Sequence, residues 1–124
     1  MARKSQPPPP RTVKIHHDQV LARLKERFGA GDHASVLAFA EKEPAFVAAS
    51  APLMSVVADA ANALGRFDQA EALRRKILVL EPGHASTTNN LIVLLIRRDA
   101  HEEAEALARG LVERDPQHVE AAHN

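Results

Sequence analysis

The chain has 124 residues, enough for one domain with a buried core but not for two. Its sixteen Lys and Arg are balanced by sixteen Asp and Glu, so it lacks the basic excess of a nucleic-acid-binding domain, and the absence of Cys removes disulfides, thiolate metal sites and cysteine nucleophiles. Hydrophobic residues reach 45% while aromatics are only 3%, a composition that points to helices packed through Ala and Leu rather than to a β-sandwich.

Residues 1–16 carry Arg3, Lys4, Arg11 and Lys14 with no acid, a basic arm on a mildly acidic body spanning 17–124. No apolar stretch of signal-peptide length follows those bases. The longest apolar run, Leu91 to Ile96, has six residues, far short of a membrane span. These features predict a cytoplasmic protein with no membrane partner. Pro7 to Pro10 disfavours helix and reads as extended polyproline II in a disordered arm. Lys4, Pro7 and Pro10 also satisfy the spacing of a basic-xx-Pro-xx-Pro ligand, as any four-proline run near a Lys would.

Past the arm, Val20, Leu21, Leu24 and Phe28 fall at helical spacing over 17–28, and Gly29-Ala30-Gly31 ends that helix. Asp32 is placed to N-cap a helix carrying Ala34, Val36, Leu37 and Ala40, which Pro44 cuts short. A short turn over 45–50 then leads to Pro52 at the opening of the next helix. In 52–64 the stripe is Leu53, Val56, Val57, Ala60, Ala61 and Leu64, closed by Gly65. Phe67 and Asp68 open a helix with Ala70, Leu73, Ile77, Leu78 and Leu80, bearing Arg74, Arg75 and Lys76 toward its later turns and stopped by Pro82-Gly83. Helices over 86–98 and 101–114 follow, with a turn at Asp99-Ala100 and a stop at Pro116. Gly110 weakens the last of these by about 1 kcal/mol relative to Ala. Residues 119–124 read as the start of one more helix.

The segments repeat with a period of 34. Laid without gaps, 51–84 and 85–118 match Ala51 with Ala85, Ala70 with Ala104, Leu73 with Leu107, Leu78 with Val112, Glu81-Pro82 with Asp115-Pro116, and His84 with His118. Gly31 matches Gly65 at the same spacing, so 17–50 is a degenerate third unit. Such a period is the mark of hairpins stacked side by side, each covering the apolar flank of its neighbour.

Catalytic patterns are missing from the sequence. The glycines form neither a dinucleotide nor a P-loop motif, and there is no nucleophile elbow. His101-Glu102-Glu103 lacks the second His of a zinc helix, because Glu105 stands where it would fall. His16-His17-Asp18 could hold a metal loosely at the arm's end but reads as an ordinary solvated cluster, and His84 and His118 read as linker positions rather than ligands. The reading is no enzyme, no cofactor and no metal within these residues.

The unit resembles the tetratricopeptide repeat, whose 34 residues fold as two antiparallel helices with small residues at their contact. Ala58, Gly65, Ala70 and Pro82 match the family's marked positions, as do Ala104 and Pro116 one unit on. Ile92 stands at the small position of the first helix, Asp99 at the Gly, Met54 and Thr88 at the Trp, and Ala61 and Leu95 at the first Tyr, all departures from the pattern. The resemblance implies an all-α fold, an α-solenoid of antiparallel helix pairs in a right-handed superhelix with six to seven helices. It also implies a concave groove lined by the first helix of each pair.

On these positions the groove residues would be Ser55, Asp59 and Asn62 in one unit and Asn89, Asn90, Val93, Ile96 and Arg97 in the next. Asp18, Lys25 and Phe28 take such positions in the degenerate unit. Asn90 and Asn124 share one place, similar to the asparagine ladder of O-linked N-acetylglucosamine transferase repeats, though Val56 interrupts it and Asn is also an ordinary polar residue there. Val93 and Ile96 would lie on the groove floor unless tight curvature or a neighbouring helix buries them. The function implied is a protein-interaction scaffold that takes a peptide or partner protein in the groove. The alternative is the repeat region of a larger enzyme, glycosyltransferase-like or sulfotransferase-like, with catalysis beyond Asn124. A third expectation is self-association through the 101–114 helix, whose Leu107 and Leu111 would lack a cover.

Overall fold

The computed structural model describes the backbone of residues 10–114 and side-chain surroundings from residue 16. Seven α-helices and no strand occur among the described residues: α1 (Pro10–Gly29), α2 (His33–Lys42), α3 (Pro44–Ala48), α4 (Ala51–Ala63), α5 (Phe67–Leu80), α6 (Ala85–Arg97) and α7 (His101–Arg114). The pairs α1–α2, α4–α5 and α6–α7 are the three hairpins of the repeat, stacked in chain order. The short α3 is the turn expected between Pro44 and Pro52. The helix read over 17–28 is longer than its apolar pattern. It opens at Pro10, where proline's fixed φ and missing N–H suit a first helical turn. Residues 1–9, with most of the polyproline run, lie outside the described residues, as do Pro116, His118 and the 119–124 segment.

The period is written into the backbone at the helix ends. Gly31, Gly65 and Asp99 stand 34 residues apart and adopt φ of +82°, +78° and +62°. Each closes the same pair of bonds. The residue after it donates its N–H back to the carbonyl of Arg27, Ala61 or Leu95 at 2.8–2.9 Å, and its own N–H reaches Phe28, Asn62 or Ile96 at 3.0–3.1 Å. This is the Schellman arrangement, which turns the chain sharply and satisfies carbonyls left open at a helix end. Only the third cap lacks Gly, so Asp99 holds a conformation that costs an L side chain roughly 1 kcal/mol or more.

Helix starts are fixed by side chains. Asp32 accepts the Ser35 N–H at 3.2 Å and the Ser35 hydroxyl at 2.7 Å, bonds that hold its carboxyl below the usual carboxylate range. Ser50 accepts the Leu53 N–H at 3.3 Å and thereby caps α4. His84 does the same for α6 through Nδ1, 3.3 Å from the Thr87 nitrogen.

The core has two parts. The larger gathers Leu24, Val36, Leu37, Val47, Leu53, Met54, Val57 and Ile77 around Ala60, Ala61 and Ala70, three alanines with no exposed surface. Those alanines let α4 and α5 approach closely, so large neighbours such as Leu53 and Ile77 are fully dry and each contributes roughly 1.5–3 kcal/mol. The smaller part joins Leu91, Leu95 and Ala104, with Leu78, Ile92, Leu94 and Leu107 packed against it. Ile92, too bulky for the family's pattern, is accommodated there half-buried.

One expectation is corrected. The apolar side of α7 is not bare: Leu111 is only 6% exposed and Leu107 is half-buried against the smaller core. The residue of α7 that does show is Val112.

Candidate functional site

Helix α6 divides its residues by face. Thr87, Thr88, Leu91 and Leu95 recur at three- and four-residue spacing and are all buried, while Asn90, Val93, Ile96 and Arg97 point outward and are exposed. Both Val93 and Ile96 keep 50% of their surface open, so neither curvature of the stack nor a described helix covers them. Asn89 sits half-buried at the margin of that face. The outcome is an apolar strip framed by an amide and a guanidinium, with Arg97 in no ion pair among the described residues.

Helix α4 offers less. Asn62 is exposed, but Ser55 and Asp59 are half-buried, and Val56 is buried in the larger core rather than facing outward. Asp59 is held by a group that the sequence pattern placed elsewhere. Arg74 stands by sequence among the basic residues of α5's later turns, yet it is only 7% exposed and its Nη2 donates to Asp59 Oδ1 at 3.2 Å. A buried guanidinium requires such a partner. The repeat register carried the signal, since 34 residues to either side stand Ala40 and Ala108, both partly covered. In the degenerate unit Asp18 and Lys25 are exposed, whereas the Phe28 ring lies 4.8 Å from that of His33 and packs against the larger core.

A second set of charges, not anticipated from the sequence, ties the last two hairpins together. Arg98, at the end of α6, donates to Asp68 and Glu71 of α5. Arg75 donates through Nε to Glu71 at 2.9 Å and through Nη1 to Glu103 of α7 at 2.6 Å. The carboxylates hold the Arg75 guanidinium well above its usual pKa, and Arg75 pulls the Glu103 carboxyl down. Next to this network, the α4–α5 turn and the last turn of α6 enclose an open cleft of about 560 Å³, lined by Gly65, Arg66, Phe67, Asp68, Gln69, Leu94, Arg97 and Arg98.

No group of three or more His, Cys, Asp or Glu residues stands close enough to hold a metal among the described residues. No helix there is long and apolar enough to cross a membrane. The family model of the tetratricopeptide repeat matches residues 61–124, just over half of the chain. The chain belongs to the tetratricopeptide repeat family. No curated protein and no solved structure matches it. The matched stretch takes in α5, α6 and α7, and hence both the exposed face of α6 and the ion network. Asn124, the second member of the asparagine pair, lies outside the described residues.

Proposed function

We propose that this tetratricopeptide repeat protein is an interaction scaffold, with no catalysis of its own, that binds an extended peptide or partner segment along the outward face of α6. The reading is carried by one observation, the half-exposure of Val93 and Ile96 between Asn90 and Arg97. Large aliphatic side chains open to water are unremarkable singly, but two at adjacent turns, framed by polar groups, give a partner both apolar area and direction. The Asn90 amide both donates and accepts, so it can engage a peptide group whatever the partner's sequence. Asn62 and Asn89 extend the surface toward α4, Ser55 adds a hydroxyl at its margin, and Asp59 contributes chiefly by holding Arg74.

Panning a random peptide library on the full-length chain tests this. Enriched peptides are expected to weaken by roughly tenfold on Asn90→Ala or Arg97→Glu, the loss of about one charge-assisted or buried hydrogen bond, with the thermal midpoint unmoved. Parallel loss of binding and stability would assign these residues to folding instead. Peptides indifferent to both substitutions would remove the α6 face as the site.

A further inference from the structure

The cleft at the α4–α5 turn is chemically unlike the face of α6. Two of its three arginines have charge to spare. Arg98 is committed to Asp68 and Glu71. Arg97 enters no ion pair among the described residues, and Arg66 has only Glu41, at the 4.0 Å limit of such a contact. The single carboxylate in the lining, Asp68, is the one Arg98 already holds. The ring of Phe67, 45% exposed, lines the same cleft with Leu94. One unpaired guanidinium and one held only by a long contact, beside an open aromatic ring, complement an anion that carries an apolar neighbour, since guanidinium groups bind carboxylates through charge-assisted bonds and the ring takes the apolar part. The size of about 560 Å³ suits one or two side chains.

We propose that this cleft is a second docking site, which takes an acidic residue of a protein partner between Arg66 and Arg97 and an adjacent apolar side chain against Phe67. Carboxylate in a peptide is favoured over a free anion by continuity: Ile96 is exposed one residue before Arg97, so a chain lying along α6 arrives at the cleft directly. The choice of a peptide rests on the α6 reading, whereas Arg66 and Phe67 come from the α4–α5 turn and are probed separately from it.

The test is titration of the isotope-labelled full chain with a capped peptide of alternating leucine and glutamate, read by amide and arginine side-chain NMR shifts. Shifts should centre on 65–69 and on the side chains of Arg66 and Arg97. Arg66→Gln should weaken binding by about tenfold, and the same peptide with glutamine for glutamate should show no saturable shift. Equal binding of the glutamine peptide would overturn the proposal, as would inorganic phosphate binding as well as the acidic peptide, which would make this a plain anion site. Loss of binding on Val93→Ser but not on Arg66→Gln would also overturn it, while leaving the α6 face standing. Arg66 is exposed and makes no capping bond through its side chain, so its substitution does not threaten the fold.

Discussion

The two junctions between hairpins differ most at one repeated position, which is apolar in the first and ionic in the second. Where the first pair meets the second, Leu37 of α2 is 3% exposed and belongs to the larger core with Val57 and Leu53 of α4. One period later the same place is Glu71, whose side chain is 15% exposed and accepts from Arg98 and Arg75. One period before Arg98 stands Leu64, 44% exposed and outside the larger core, and Glu41 gives way to Arg75. The backbone caps at 31, 65 and 99 meanwhile stay alike. Hairpin shape therefore comes from the caps and the small residues, and the junction chemistry is free to vary on it. The two solutions are not equally strong. Apolar burial neither titrates nor is screened by salt, whereas ion pairs with arginines 42% exposed are screened and contribute little each. Leu78 adds an apolar contact at the second junction, but with the ion network in place of a buried leucine the third hairpin is expected to be held less firmly than the second.

The comparison can be broken most directly by truncating the paired positions. Leu37→Ala should cost about 2–5 kcal/mol, the range for deleting a buried leucine, and should lower the midpoint of chemical denaturation accordingly. Glu71→Ala should cost only about 1 kcal/mol, because the two arginines it frees are substantially solvated. A larger loss at Glu71 than at Leu37 would reverse the ranking. Conditions should separate the junctions as well. Arg75 holds the Glu103 carboxyl below its ordinary value of 4.5, so its folded-state pKa is lower than its unfolded one. Its contribution is complete above that unfolded value and is lost as pH falls through the depressed folded one. Hydrogen-exchange protection, corrected for the intrinsic rate at each pH, should accordingly fall in α6 and α7 before α4 on acidification below about pH 4.5, and in 1 M salt at neutral pH. Equal response in α4 would show that the ion network does not distinguish the two junctions.

What the sequence made legible follows from this division. Features set by backbone chemistry repeat with the period and were readable: Gly31 and Gly65 as caps, Asp32 as an N-cap, Pro44 as a stop, and Ala70 and Ala104 as contact residues. Features set by side-chain partnership were not. Arg74 and Arg75 are adjacent and alike in sequence, yet one is buried against Asp59 and the other spans to Glu103. Their roles depend on which residues α4 and α7 bring opposite them, and a helical pattern within α5 carries no such information. The face of α6 lies between these cases. Its exposed residues follow from the resemblance to the tetratricopeptide repeat, whereas the partial withdrawal of Asp59 from α4's outer face goes with a charge on another helix.

The smallest effect isolates what both junctions share. If the caps alone set hairpin shape, replacing the one ill-suited cap residue should stabilise the third hairpin without touching its junction. Asp99 occupies the left-handed region at φ +62°, and glycine adopts it without a Cβ penalty. Asp99→Gly should gain about 0.5–1 kcal/mol, the relief of roughly 1 kcal/mol or more of strain less the extra chain entropy of glycine. The weak exposed contact between Asp99 and His101, at 3.2 Å, takes little from that gain. Slower exchange should then appear in α6 and α7 only, with α1 to α4 unaltered, and the acid and salt sensitivity of the Arg75–Glu103 link should persist. Stabilisation spread evenly over all three hairpins would mean that they open as one unit, and that the weaker ionic junction does not let the last pair loosen by itself.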